Sequence, residues 1–219
     1  MNTIHSKIYC ASRAGAAVLV LSAAMQVAQA GIVPYPDAGT ENSATYTFTA
    51  STTGDLIGFF AGSTAGYDEQ VGLLDNGILT SGGYGLDDHA SNIGQSFDFG
   101  LVQAGDTLIF VDKIITGNPG FVFSDSSLNG PYDGGHNHVY STDTAMGQIS
   151  SLIPAGTYVA FEDEPASFSN FNYFDDTFVF QDVATATTAV PEPSTWASAA
   201  LMLLPLGLGA IRKLRKNRI

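Results

Sequence analysis

Val71-Gly72-Leu73-Leu74-Asp75-Asn76-Gly77-Ile78-Leu79-Thr80 joins two apolar runs through residues suited to a chain reversal. The centre of a tight hairpin needs positive φ, which Asn and Gly adopt at low cost. Asp75-Asn76-Gly77 therefore predicts a β-hairpin between Val71–Leu74 and Ile78–Thr80. The same alternation of short β-branched or aromatic runs with turn residues continues on both sides. It predicts strands at Ala44–Ala50, Leu56–Phe60, Ser96–Phe99, Thr107–Ile115, Gly120–Phe123, His138–Ser141, Thr157–Phe161 and Thr177–Gln181. Between Gly31 and Val190 there are 21 glycines and no long run with apolar residues at helical spacing. Ten short strands of this kind make an all-β domain, an antiparallel β-sandwich or jelly roll.

With 219 residues the chain has room for one such domain and its appendages. Asp and Glu number 21 against 8 Lys and Arg, a formal charge of −13. The charge is unevenly spread: from Gly31 to Val190 there are 20 acidic residues and Lys113 alone is basic, which leaves −19. A surface of that sign repels nucleic acid and anionic lipid, so neither is an expected partner. Cys10 is the single cysteine, so no intrachain disulfide can form and no Cys/His set has zinc spacing. A structural metal would have to be held by oxygen or histidine.

Both ends point to export. Lys7 and Arg13 precede an apolar run from Ala14 to Met25, and Ala28-Gln29-Ala30 has the small residues that signal peptidase requires, so residues 1–30 are expected to be a cleaved secretory signal. At the other end Trp196–Ile211 is 16 largely apolar residues. As a helix this stretch is about 24 Å long against about 30 Å for an average hydrocarbon core, so it is short for a span and can cross only just. The tail that follows carries Arg212, Lys213, Arg215, Lys216 and Arg218, which places the terminus in the cytoplasm and the acidic domain outside. Val190-Pro191-Glu192-Pro193 stands just before the span, and its prolines keep it extended and open to a protease.

Pro191-Glu192-Pro193, a short apolar helix and a basic tail, in that order, resemble the PEP-CTERM sorting signal of Gram-negative bacteria. The resemblance covers about 30 residues, 190–219. It implies transient anchoring in the inner membrane, cleavage by an exosortase near Pro191–Pro193, and delivery to the cell surface or extracellular matrix. The domain between the signals would be residues 31–189.

The densest acidic cluster is Glu162-Asp163-Glu164 at the end of one predicted strand, with Asp175-Asp176 at the start of the next. If the two strands pair as a hairpin, these carboxylates converge, and like charges at close range raise one another's pKa unless a cation lies between them. Calcium suits an all-oxygen set, and Asn170 and Asn172 place amide oxygens in the same loop. The expected ligands are Glu162, Asp163, Asp175, Asp176 and Asn172. A solvated acidic loop and a catalytic carboxylate pair are the alternatives. The segment from His138 to Phe180 is also similar, in part, to a bacterial surface domain of unknown function in which an F-E-D element is followed by a D-x-D-Y-N-D element and an apolar strand. Here Phe161-Glu162-Asp163 and Asp175-Asp176 match, whereas Asn170, Asn172 and Tyr173 stand where that family has its first acids. That resemblance leaves calcium and enzymatic roles both open.

Four further patterns are weaker. Gly82-Gly83-Tyr84-Gly85-Leu86-Asp87 matches part of the β-roll calcium nonapeptide but occurs once, so an acidic loop is expected. His136 and His138 share a strand face without a third soft ligand, which favours hydrogen bonding over a transition metal. Leu101-Val102-Gln103-Ala104-Gly105 leading to Phe110-Val111-Asp112 is echoed by Leu152-Ile153-Pro154-Ala155-Gly156 leading to Phe161-Glu162-Asp163. Phe168, Phe171 and Tyr173 alternate with amides and hydroxyls as possible glycan contacts, or else plug the end of the core. No nucleophile elbow or P-loop lysine is present. The expected protein is a non-enzymatic, calcium-stabilised binding or structural module. A carbohydrate-binding module and a carboxylate-dependent glycan hydrolase are the alternatives.

Overall fold

Side chains along a strand alternate between faces, so each apolar run above offers one row to a core. In the computed structural model, which describes residues 32–189, eleven strands use that alternation. They are β1 Ala44–Ala50, β2 Gly54–Ser63, β3 Glu69–Asp75, β4 Ile78–Asp87, β5 Ser96–Val102, β6 Thr107–Ile114, β7 Gly120–Phe123, β8 Val139–Thr144, β9 Gly156–Phe161, β10 Asp176–Phe180 and β11 Val183–Ala189. One short helix, α1 (Gly130–Asp133), precedes β8. All-β architecture is thus what the chain adopts, in two antiparallel sheets. The proposed secretory signal, sorting signal and membrane span lie outside the described residues. Among the described residues no helix is long and apolar enough to cross a membrane.

The first sheet has the order β11-β1-β6-β3-β4, and the second β5-β2-β10-β9-β8. One edge of β6 is shared: its start pairs β1 at Phe48↔Leu108, and its end pairs β7 from Val111↔Phe123 to Ile114↔Gly120. Inward rows from both sheets meet in one apolar core, with Phe48, Leu73, Leu108 and Phe110 from the first sheet and Leu56, Phe99, Phe178 and Phe180 from the second. The Phe110 and Phe180 rings stack across the sheets at 4.1 Å between centroids. A second, smaller core covers the outer face of the second sheet, where Tyr158, Ala160 and Val179 meet Tyr35, Ile149, Ile153 and Tyr173. β9 and β10 are therefore buried on both faces.

The predicted hairpin forms as expected: Asp75 pairs with Ile78, and Asn76 and Gly77 turn with φ of 49° and 83°. Gly82–Asp87, expected as a loop, instead lies within β4. Its glycines permit close packing: a Cβ on Gly82 would lie 2.5 Å from the Asp98 carbonyl oxygen, and one on Gly85 would lie 2.6 Å from the Phe97 ring. Asp87 then accepts the N–H of Ala90 at 2.9 Å and stabilises the turn after β4. β11 is an additional strand, Val-Ala-Thr-Ala-Thr-Thr-Ala, paired with all of β1.

Candidate metal centre

The β9–β10 hairpin brings the predicted acids together. Asp176 pairs with Phe161, and the Asp163 N–H donates to the Asp175 carboxylate at 3.3 Å, tying the two ends of the loop. Ligand oxygens of Glu162, Asp163 and Asp175 all lie within 4.8 Å of one another. All three side chains are buried rather than solvated. One Glu162 oxygen accepts the Asn172 and Tyr173 N–H groups at 3.1 and 3.4 Å, while the other has no hydrogen-bond partner.

Two of the expected ligands play other parts. Asn172 contributes its backbone N–H to Glu162 and uses its side-chain oxygen to accept the Phe174 N–H at 2.7 Å. Asn170 likewise accepts the Asn172 N–H at 2.9 Å. These short amides hold a loop in which Phe171 and Tyr173 have positive φ of 48° and 56°, so they shape the site without facing it. Asp176 belongs to a different cluster. Alternation puts it on the inner face of β10 with Phe178 and Phe180, so it points away from the loop.

There it meets Glu69 and Asp112, again with ligand oxygens within 4.8 Å of one another. Glu69 is on the inner row of β3 with Val71 and Leu73, and Asp112 on that of β6 between Phe110 and Ile114. All three residues are fully buried, and none of their six carboxyl oxygens accepts a hydrogen bond from a described N–H or hydroxyl. Neither Glu69 nor Asp112 stands out as a ligand in the sequence by spacing to other acids. The signal they do carry is parity, an acid on the apolar side of an alternating strand.

Burial, then the Asp112 charge, then Asp163 push Glu69 far above the usual carboxylate range. Burial followed by Asp163 raises Asp112, and burial followed by Asp112 raises Asp176. Asp175 is pushed up to about 9 by burial and then by Glu162 and Asp163. Glu162 is also raised by burial, although the Ser169 hydroxyl and the N–H groups of Tyr173 and Asn172 pull the other way. Asp163 thus acts on both clusters, which form one buried carboxylate region at one end of the sandwich. The internal echo ends here as well: of its two aspartates, Asp112 lies within β6 of the first sheet and Asp163 just after β9 of the second, and Asp163 raises Asp112.

No basic side chain among the described residues neutralises this region. The Lys113 ammonium lies 5.2 Å from the centre of the Tyr84 ring, on the face of β6 opposite Asp112. His138 has its ring nitrogens 2.8 Å from the Glu162 carbonyl and 2.9 Å from the Asp133 carboxylate, and His136 is 2.9 Å from Glu41. The two histidines therefore do not converge on a shared ligand position. A third group, Asp68, Asp88 and His89, is satisfied internally, since Asp88 accepts the Glu69 N–H at 2.8 Å and the Ser63 hydroxyl at 3.2 Å while His89 binds Asp68.

The aromatic loop divides. Tyr173 is fully buried in the second core, where its hydroxyl accepts the Asn42 N–H at 2.8 Å and donates to the Asn137 carbonyl at 3.1 Å. It offers no ring face to a glycan, which corrects that expectation, and Phe171 packs beside it. Phe168 is 77% exposed and lines a cavity of about 470 Å³ with Tyr67, Asn118, Glu164 and Pro165.

What the fold and site define together is an all-β domain of two sheets with a carboxylate-rich interior at one end. Compared with known protein families, curated proteins and solved structures, the chain matches none.

Proposed function

We propose that this chain is an exported, exosortase-sorted protein of the cell surface or extracellular matrix of a Gram-negative bacterium. Signal peptidase would remove residues 1–30, and an exosortase would cut near Pro191–Pro193. Its domain is a non-enzymatic binding or structural module stabilised by calcium. The observation that carries the calcium reading is the convergence of Glu162, Asp163 and Asp175 in a buried hairpin loop without a basic partner among the described residues. Buried carboxylates need a compensating charge, and an all-oxygen set matches a hard divalent cation. Their burial also weighs against a glycan hydrolase, whose acid and base must reach a glycosidic oxygen. Calorimetric titration of the chelator-treated full chain in mild detergent tests this reading. A saturable calcium site that is lost in Glu162→Gln is expected, and calcium binding that is absent from the parent chain would sink it.

A second reading, carbohydrate binding, draws support from the cavity beside Phe168. An exposed ring next to Tyr67, Asn118 and Glu164 offers the stacking face and polar groups that sugars use. Retention on an immobilised polysaccharide should then fall in Phe168→Ala. Equal retention of parent and variant would remove this cavity from consideration.

A further inference from the structure

We propose that Glu69, Asp112 and Asp176 hold a second calcium ion, inside the sandwich, that ties the two sheets together. Glu69 and Asp112 come from adjacent strands of the first sheet, β3 and β6, and Asp176 from β10 of the second. Each is anchored on the inward row of its strand, so the cluster is built by strand register and does not depend on a loop. All three are fully buried, and their six oxygens receive no hydrogen bond from any described donor. As carboxylates they need a compensating positive charge, and Lys113, the basic side chain nearest in sequence, faces Tyr84 on the opposite side of β6.

A cation meets every part of the observation. Calcium binds six to eight oxygens at about 2.3–2.6 Å, so two oxygens on opposite sides of one ion are about 4.6–5.2 Å apart. The three carboxylates lie within 4.8 Å of one another, inside that span. Soft metals are disfavoured because no histidine or cysteine belongs to the cluster. Asp163 acts on Glu69 and Asp112 and also belongs to the outer group with Glu162 and Asp175, so the two sites are neighbours that share its charge.

The inference rests on the reading of the domain as calcium-stabilised, but it uses different ligands, and one experiment separates the two. The full chain in mild detergent is stripped with chelator and saturated with calcium chloride, and the bound ions are counted by native mass spectrometry. Two ions are expected for the parent, with one lost in Asp112→Asn and one lost in Glu162→Gln. Glu69→Gln serves as the second interior variant, and circular dichroism checks that each variant folds. The calcium-induced rise in melting temperature should fall by about half when one of two comparable sites is removed. If both interior variants keep the parent's ion count, the inference is overturned. If Glu162→Gln removes the sole ion of the parent, the inference falls and the outer site stands. If Glu162→Gln keeps the parent's count while the interior variants lose an ion, the interior site stands and the outer one falls. A parent that binds no calcium overturns both.

Discussion

Without a bound cation the stability of this domain should fall as pH rises, the reverse of ordinary acid denaturation. Asp175 shows the sign. Unfolded, its carboxyl releases its proton near the ordinary aspartate value of 3.8, whereas in the fold it holds it up to about 9. Between those limits the folded state binds more protons than the unfolded one, so stability drops with each unit of pH. One pKa unit is worth about 1.4 kcal/mol, so from pH 5 to pH 8 Asp175 alone removes about 4 kcal/mol. Glu69, Asp112 and Asp176 are raised as well and act in the same direction. A domain's total stability is roughly 5–15 kcal/mol, so the calcium-free protein should be markedly less stable at pH 8 than at pH 5. His89 and His136 are raised by their carboxylate partners Asp68 and Glu41, and they too lose stability with rising pH. Asp133 is lowered: burial pushes it up, but the Ala166 N–H and His138 outweigh this. Its contribution is lost only as pH falls below the normal aspartate range, outside the interval. Calcium at the proposed sites would keep its ligands ionised and should flatten or invert the slope. Urea unfolding followed by circular dichroism at pH 5 and 8, with EDTA and with calcium, measures both slopes. Metal-free stability that is level or increases across this interval would refute the reasoning.

Three other outcomes are expected. Phe180→Ala should cost about 3–5 kcal/mol in urea unfolding, because its ring is fully buried and stacks on Phe110 across the sheets. Tyr173→Phe should cost about 1–3 kcal/mol by the same measurement, since it leaves the buried Asn42 N–H without its acceptor, and glycan retention should not change. Gly82→Ala should destabilise by about 1–3 kcal/mol, because the new methyl meets backbone atoms of Asp98 and Phe99 that cannot rotate away. A melting temperature equal to the parent's would show that β4 and β5 can separate without cost.

The strands were legible where apolar residues alternate between turn residues, and the Asn76–Gly77 reversal follows directly from backbone preference. β11 was less visible because Ala and Thr give it little apolar contrast, and its pairing with β1 is set by tertiary contact. Glycines of Gly82–Asp87 signal a loop when read locally. Their role in the strand depends on the approach of Asp98 and Phe97, which sequence spacing does not encode. For the site, Glu162, Asp163 and Asp175 converge because they flank one hairpin. Asp176, one residue further on, crosses to the opposite face by strand alternation. Glu69 and Asp112 are far apart in sequence from each other and from Asp176, and only the sheet order brings them together. Tyr173 was ambiguous because a plug and a glycan platform use the same residue types.

β11 lies at the edge of the first sheet, and its register with β1 continues to Ala44↔Ala189. Ala189 directly precedes Val190-Pro191-Glu192-Pro193, the proposed recognition sequence of the exosortase. The folded body would therefore have no spacer before the proposed cutting point. A peptidase groove that takes several residues on the amino side of the scissile bond must draw them from β11. Processing at that position would peel the terminal pairs of β11 off β1, or act before they have zipped. Inserting a flexible Gly-Ser segment after Ala189 would then accelerate release of the domain from the membrane.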